Sequence, residues 1–188
     1  MTRKILINAL DPEENRIAMV FDNKLDQFHI ETTAKAATKG NIYKGIVTRV
    51  EPSLQAVFVD YGAGKNGFLQ KNEIHPDYFQ EVEKNDKSLF NLIKKGQEMI
   101  VQVTKDPINL KGAMLTTYIS LPGRFGVLMP GNNTRGVSRK IVEEDERKRL
   151  VGILKGMTIT EGFGMIVRTA GKGATKTLLT SDLRYLMR

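Results

Sequence analysis

The chain has 188 residues, 40% of them apolar, with no cysteine, two histidines and a formal net charge of +8. That length holds one domain or two small ones, and the lack of cysteine excludes disulfides, a thiol nucleophile and thiolate metal sites. No apolar run approaches the roughly 20 residues needed to span a bilayer, and MTRKILINALDPEEN turns acidic too early for a secretory signal, so the expected compartment is the cytoplasm.

Charge is unevenly placed. Residues 1–119 hold 16 Lys+Arg against 15 Asp+Glu, whereas residues 120–188 hold 13 against 6. A basic lobe beside a nearly neutral one is the footprint of a phosphate-bearing partner, with lysine-rich surface helices as the plainer alternative. The histidines, His29 and His75, are far apart and read as surface or strand-face residues rather than ligands or bases.

Residues 3–32 predict three short strands. The run 4–9 ends in the turn DPEEN, 16–21 follows, and Asp22-Asn23 makes a two-residue turn into 25–30. So small a meander needs a further partner for its apolar face. TTAKAATKG, residues 32–40, is small, polar and basic, as linkers are.

A self-contained unit is expected from residue 41. Ile42, Lys44, Ile46, Thr48 and Val50 fall on one side of an extended strand, and Tyr43, Gly45, Val47 and Arg49 on the other. A Glu-Pro-Ser turn leads to a second strand over 54–61, and a glycine turn at 62–64 leads to a third beginning near Gly67 and Phe68. NEIHPDYFQ (72–80) predicts a turn of helix capped by Asn72. The mostly charged stretch 81–95 reads as a surface excursion with Leu89, Phe90, Leu92 and Ile93 as a helical stripe. MIVQVTK (99–105) predicts a fourth strand, the loop 107–112 hands over, and 113–119 predicts a fifth. Five antiparallel strands with one long connection fit a Greek-key barrel of the OB type.

After Ser120 an apolar run over 124–129 ends in the turn cluster PGNNTRG. A brief strand over 137–141 carries Arg139 and Lys140, and a helix over 143–154 places its acids in the first turn, as the helix dipole favours. A strand over 165–169 runs into the turn AGKG, and a helix is expected over 178–188. The sequence stops inside or just after that helix, so a longer parent chain is expected.

Two groups of residues carry candidate chemistry. Val57, Val59 and Tyr61 form a face suited to a core, which sets Phe58 beside Asp60 on the other side of its strand. Phe58 and Phe68 there would stack bases, each contact being worth roughly 1–3 kcal/mol, with Lys44, Arg49, Lys65 and Lys111 available for phosphates. Burial in the core is the alternative for each Phe, and pattern leaves both readings open. In the basic lobe, Arg168 offers a planar donor fork, Thr169 a hydroxyl, and the glycine turn after them backbone N–H groups for an anion nest. GKGATKT lacks the spacing of a phosphate loop. Glu143, Glu144, Asp145 and Glu146 read as capping and solvation at a helix start, and no spaced carboxylate set argues for a metal-dependent nuclease site.

LINA, NIYKG, RVEPSLQAVFVDYG, GFL, KGAMLTTYISL, VLMP and IVRTAG, in this order, closely resemble the N-terminal part of the bacterial ribonuclease E/G family. The resemblance runs from LINA to the last helix, and RVEPSLQAVFVDYG is its most specific stretch. It implies a mainly β fold with an α+β C-terminal part. Residues 1–35 would be a β-meander belonging to an RNase H-like subdomain, 36–119 an S1-type OB-fold barrel that binds RNA, and 120–188 a 5′-sensor region. By the same resemblance Phe58 and Phe68 are RNA-stacking aromatics, Lys111 is a basic residue of that surface, Arg168 and Thr169 grip a 5′-phosphate, and Val127 lies beside the terminal nucleotide. The stretch 81–95 lies in a connection the family varies. The family's catalytic Asp pair with its Mg2+, and the Cys motif that shares Zn2+ between protomers, lie in a downstream subdomain, so no cofactor is expected on this chain and a homo-oligomer only of the longer protein.

The expected function is therefore binding of single-stranded RNA and sensing of its 5′-monophosphate, within an endoribonuclease that acts in RNA processing and decay. This stretch would itself be catalytically inactive. A stand-alone S1-type RNA-binding module without nuclease activity is the alternative, and a protein-contacting scaffold is a third reading.

Overall fold

A computed structural model describes residues 2–32, 38–81, 88–108 and 111–188. The expected linker (32–40), excursion (81–95) and loop (107–112) fall partly outside the described residues. The chain divides into two units, Met1–Thr38 and Lys39–Arg188.

The first unit is an antiparallel sheet of β1 (Arg3–Asp11), β2 (Glu14–Phe21) and β3 (Lys24–Thr32), with β2 in the middle. Asp22 and Asn23 take φ of 45° and 62°, the left-handed pair that a two-residue hairpin turn requires. Asp22 also accepts a hydrogen bond from the Thr2 N–H at 2.8 Å, closing the turn on the start of β1. Ile5, Ile7, Leu25 and Phe28 are exposed on this sheet.

In the second unit, β4 (Ile42–Glu51), β5 (Ala56–Asp60), β6 (Gly67–Gln70), β7 (Glu98–Lys105) and β8 (Met114–Thr116) close a barrel in the order β4-β5-β6-β8-β7. Closure is not wholly antiparallel, as the sequence reading expected, because β8 returns along β7 and meets β6 in parallel register at Phe68↔Met114 and Leu69↔Leu115. Val47, Val57, Val59, Leu69, Val101, Val103 and Leu115 face inward and are almost fully buried. The second strand is shorter than expected. Pro52–Leu54 is a 3-10 turn and Gln55 adopts φ 47°, so pairing starts only at Ala56.

Three local expectations are corrected by packing. Asn72 caps nothing, because 72–80 forms two separate 3-10 turns, Lys71–Glu73 and Pro76–Tyr78, and the second is capped by His75, whose Nδ1 accepts from the Asp77 N–H at 3.3 Å. The stripe after residue 88 is core rather than surface: in the short helix α1 (Leu89–Leu92), Leu89 and Leu92 join Ile93 in the barrel core, and only Phe90 turns outward. The fifth strand ends at Thr116, because Thr116 and Thr117 turn to bond the Glu73 carbonyl and the Tyr118 N–H instead of extending the ladder.

The rest of the second unit is a four-stranded sheet, ordered β11-β12-β10-β9, of β9 (Leu121–Pro122), β10 (Gly126–Pro130), β11 (Arg135–Val137) and β12 (Phe163–Val167). The helices α2 (Glu144–Lys155) and α3 (Lys176–Leu186) give Leu150, Leu154, Leu179 and Leu183 to a core shared with Leu128, Val137, Met165 and Val167. The strand expected over 137–141 stops at Val137 because Ser138 starts a turn in which the Ile141 N–H bonds its carbonyl. Two buried or half-buried polar groups tie this sheet to the barrel. Gln102 accepts from the Ser120 N–H at 2.8 Å while donating to the Ser120 and Gly40 carbonyls at 2.9 Å, and the His75 Nε2 bonds the Gly131 carbonyl at 3.0 Å.

The acids at the start of α2 do more than solvate it. Glu146 accepts from Arg149 and, at 2.7 Å, from the Gly173 N–H, which pins α2 to the turn after β12; Glu143 pairs with Lys172 in the same turn. Arg149 first, and the Gly173 amide second, hold the Glu146 carboxyl down to about 2 from an ordinary 4.5. A carboxyl depressed on folding contributes stability that is complete above its unfolded value and fades as pH falls towards its folded one. Glu146→Gln is thus expected to be less stable than the parent at neutral pH, with the difference shrinking between pH about 4.5 and about 2. Denaturant titrations across that window measure it, and a difference that stays constant to pH about 2 contradicts the tether.

Candidate nucleic-acid interface

The barrel's outward surface is organised by a bulge. Between Val47 and Arg49 the register of β4 on β5 shifts by one residue, so Val47 and Val50 both turn inward while Arg49 faces out opposite Phe58. Strict alternation placed Arg49 with Val47 and Val50 with Lys44; the bulge reverses both. Thr48, the extra residue, donates its hydroxyl to the Phe58 carbonyl at 3.1 Å and accepts from Asn66 at 2.9 Å. Thr48 thereby fixes the turn that carries Lys65.

Register then lines up Arg49↔Phe58, Phe58↔Phe68, Phe68↔Met114 and Met114↔Lys105 in one row across the strands. Phe58 and Phe68 are half-buried, with ring centroids 5.7 Å apart at 67°, an edge-to-face arrangement. The Arg49 guanidinium lies 4.5 Å from the Phe58 centroid. Beside the row runs a groove of about 550 Å³ lined by Phe58, Phe68, Lys105, Lys111, Gly112 and Met114, among others. Gly112 permits this closeness, since a Cβ there would sit 1.9 Å from the Asn66 carbonyl oxygen. Lys105 was not singled out from sequence, where it appears only as the last residue of a strand. Lys44 lies elsewhere on the barrel, on the half of β4 that pairs with β7 and about 16 Å along the strand from Arg49, and is ion-paired with Glu98 at 2.8 Å.

The second group gathers at one end of β10 and β12. Val127 pairs with Ile166, on the sheet face opposite the buried Leu128–Met165 pair. Arg168 leaves β12 extended and exposed, its N–H bonding the Phe125 carbonyl at 2.8 Å and its Nη1 the Gly123 carbonyl at 2.6 Å. Parallel pairing of β11 with β12 delivers Ser138 beside the 3-10 turn Thr169–Gly171, with Ser138 Oγ 3.3 Å from Thr169 Oγ1. Ser138, 31 residues away in sequence, carried no local signal. Exposed Arg139 and Lys140 follow it in its turn, and Arg147 holds that turn by donating to the Ser138 and Ile141 carbonyls at 2.7 and 3.0 Å. The anion nest expected from the glycine turn is not available at four of its amides: those of Gly171, Lys172 and Ala174 close the turn, and that of Gly173 serves Glu146.

The opposite wall is held by α3. Asp182 accepts from the N–H groups of Arg124, Phe125 and Gly126 at 3.0, 2.9 and 2.9 Å, which shapes the β9–β10 turn presenting the Gly123 carbonyl to Arg168. Among the described residues no three of His, Cys, Asp and Glu gather as metal ligands would. No described helix is long and apolar enough to cross a membrane.

A closed five-stranded barrel with an outward row of aromatics and cations defines the class, and residues 36–106 match the model of the S1 RNA binding domain. Residues 120–188 match the model of the Ribonuclease E/G family. The chain is 45% identical over 188 residues to Ribonuclease E of Haemophilus influenzae and 43% identical over 189 residues to Ribonuclease E of Escherichia coli, matches that take in 98% and 99% of this chain. It is 41% identical over 193 residues to Ribonuclease G of Escherichia coli, across 100% of this chain. The chain belongs to the ribonuclease E/G family. It spans 20% and 18% of the length of those two ribonuclease E relatives and 39% of ribonuclease G.

Proposed function

We propose that this chain is the RNA-binding and 5′-end-sensing part of an endoribonuclease of the E/G type, acting in RNA processing and decay in the cytoplasm. The observation that carries the reading is the row Arg49–Phe58–Phe68 on an S1 barrel, beside a groove that Lys105 and Lys111 line. Unpaired bases stack on the aromatics, which tolerate any base because every base has a π-face, and the cations meet the phosphates. Arg168 and Thr169 hold a terminal 5′-monophosphate, with Val127 against the first nucleotide, and a 5′-triphosphate fits poorly through size and charge. Cleavage of the single strand with Mg2+, and Zn2+-linked assembly of protomers, belong in this reading to parts of the relatives that the chain does not match.

Phe58→Ala is expected to weaken binding of a single-stranded oligoribonucleotide by about 5- to 100-fold, the loss of one base–aromatic stack, while far-UV circular dichroism stays unchanged. Fluorescence anisotropy measures the first and thermal melting controls the second. Undiminished binding by a folded Phe58→Ala variant would remove the stacking platform.

A further inference from the structure

A second groove, of about 490 Å³, lies on the other side of Arg49 and is lined by Thr48, Arg49, Phe90, Lys94 and Lys95, among others. Phe90 is 66% exposed, although its neighbours Leu89, Leu92 and Ile93 are core. A lone exposed ring is ordinary on a protein surface. This one sits in a concave site with three cations, on backbone that is tightly held. The Gly96 N–H donates to the Val47 carbonyl at 2.7 Å, and the Val47 N–H to the Gln97 carbonyl at 2.9 Å, next to the bulge. The Gln97 side chain donates to the Tyr78 carbonyl at 2.6 Å and accepts from the Lys94 N–H at 3.2 Å. The carboxylate facing Arg49 is that of Glu51, at 4.0 Å. Arg49 thus links the two grooves: it lines the cavity of Phe90 and rests on the ring of Phe58, which lines the first groove.

We propose that this groove is a second base-stacking subsite, at which Phe90 takes a nucleobase and Lys94 and Lys95 take its flanking phosphates, so that a single strand leaving Phe58 passes over Arg49 to Phe90. The inference rests on the RNA-binding reading above and adds to it the direction and length of the path. A ring carried on backbone that is already fixed leaves less to order when a base arrives, which is what makes such a site contribute to affinity. Phe90 lends itself to test because its ring can be removed without opening the core.

The test uses the whole 188-residue chain and two 5′-hydroxyl oligouridines, of about 4 and about 16 nucleotides, the range of site sizes for one OB barrel. Phe90→Ala is expected to lower affinity for the long oligomer by about 5- to 100-fold and to leave the short one unchanged. Phe58→Ala lowers both. A Lys94→Gln/Lys95→Gln variant, which spares the ring, is expected to make the long oligomer's salt dependence shallower by about 1–2 in the log–log slope. Long-oligomer affinity and salt slope that survive both changes, while Phe58→Ala still weakens binding, overturn the second subsite and leave the reading of the first intact. Equal loss on both oligomers also overturns it, because the site would then not be separate. Insensitivity of both lengths to Phe58→Ala instead removes the RNA-binding reading on which the proposal rests.

Discussion

Replacing Arg168 by alanine is expected to erase the preference for a 5′-monophosphorylated oligoribonucleotide over its 5′-hydroxyl counterpart. Affinity for the phosphorylated oligomer falls by about 10- to 100-fold, the worth of one or two charge-assisted hydrogen bonds, and affinity for the hydroxyl form stays where it was. The geometry behind this is a guanidinium anchored through one Nη1 contact, to the Gly123 carbonyl, on an extended and exposed residue. Guanidinium has five N–H donors, so a planar fork remains for phosphate oxygens once that contact is made. Arg168→Lys keeps the charge and loses the fork, and should retain part of the preference. Competition binding with matched oligomers decides the matter. Equal affinity of the unmodified chain for the two ends would sink the 5′-end assignment, whatever the barrel does.

Asp182→Ala is expected to cost about 2–4 kcal/mol in the stability of the C-terminal region, because it orphans three backbone N–H groups at once. Oδ1 accepts from Arg124 and Oδ2 from both Phe125 and Gly126, two of these bonds being partly buried. Asparagine keeps one acceptor and turns a donor towards an N–H, so Asp182→Asn should lose an intermediate amount. Hydrogen exchange resolves the effect locally, with protection of the Arg124, Phe125 and Gly126 amides falling in proportion to the stability lost. The same variant is expected to weaken the 5′-monophosphate preference, since the turn it releases carries the Gly123 carbonyl that positions Arg168. Unchanged exchange at the three amides would show that α3 does not shape that turn.

How far these sites could be read in advance differs between them. Phe58 stood out because Val57, Val59 and Tyr61 demanded the core face of the same strand, and they are almost fully buried there. Arg168 and Thr169 stood out because a strand running into a glycine turn puts such side chains at an edge. The stacking of Arg49 on Phe58 was hidden, because alternation set Arg49 on the same side of its strand as Val47, and only the bulge at Thr48 parts the two. Ser138, Lys105 and Asp182 were hidden as well, since each reaches its site through a partner at least 9 residues distant. Phe90 was read as part of a helical stripe, and it was the packing of Leu89, Leu92 and Ile93 that left its ring outside.

Period-two alternation, Asp22-Asn23 and the placement of glycines were enough to locate the three-stranded meander and the barrel strands to within a few residues, and the acids of one first turn and the leucine stripe of the other located the two C-terminal helices. They suffice because hairpin turns and amphipathic faces are local properties of a chain. Strand closure in parallel between β6 and β8, the reversal of faces at Thr48, and the use of the Gly173 amide by Glu146 were decided by tertiary structure alone. Each depends on a hydrogen-bond donor or acceptor meeting a partner far along the chain. Such pairings are selected by the packing of the whole unit rather than by any short run of residues.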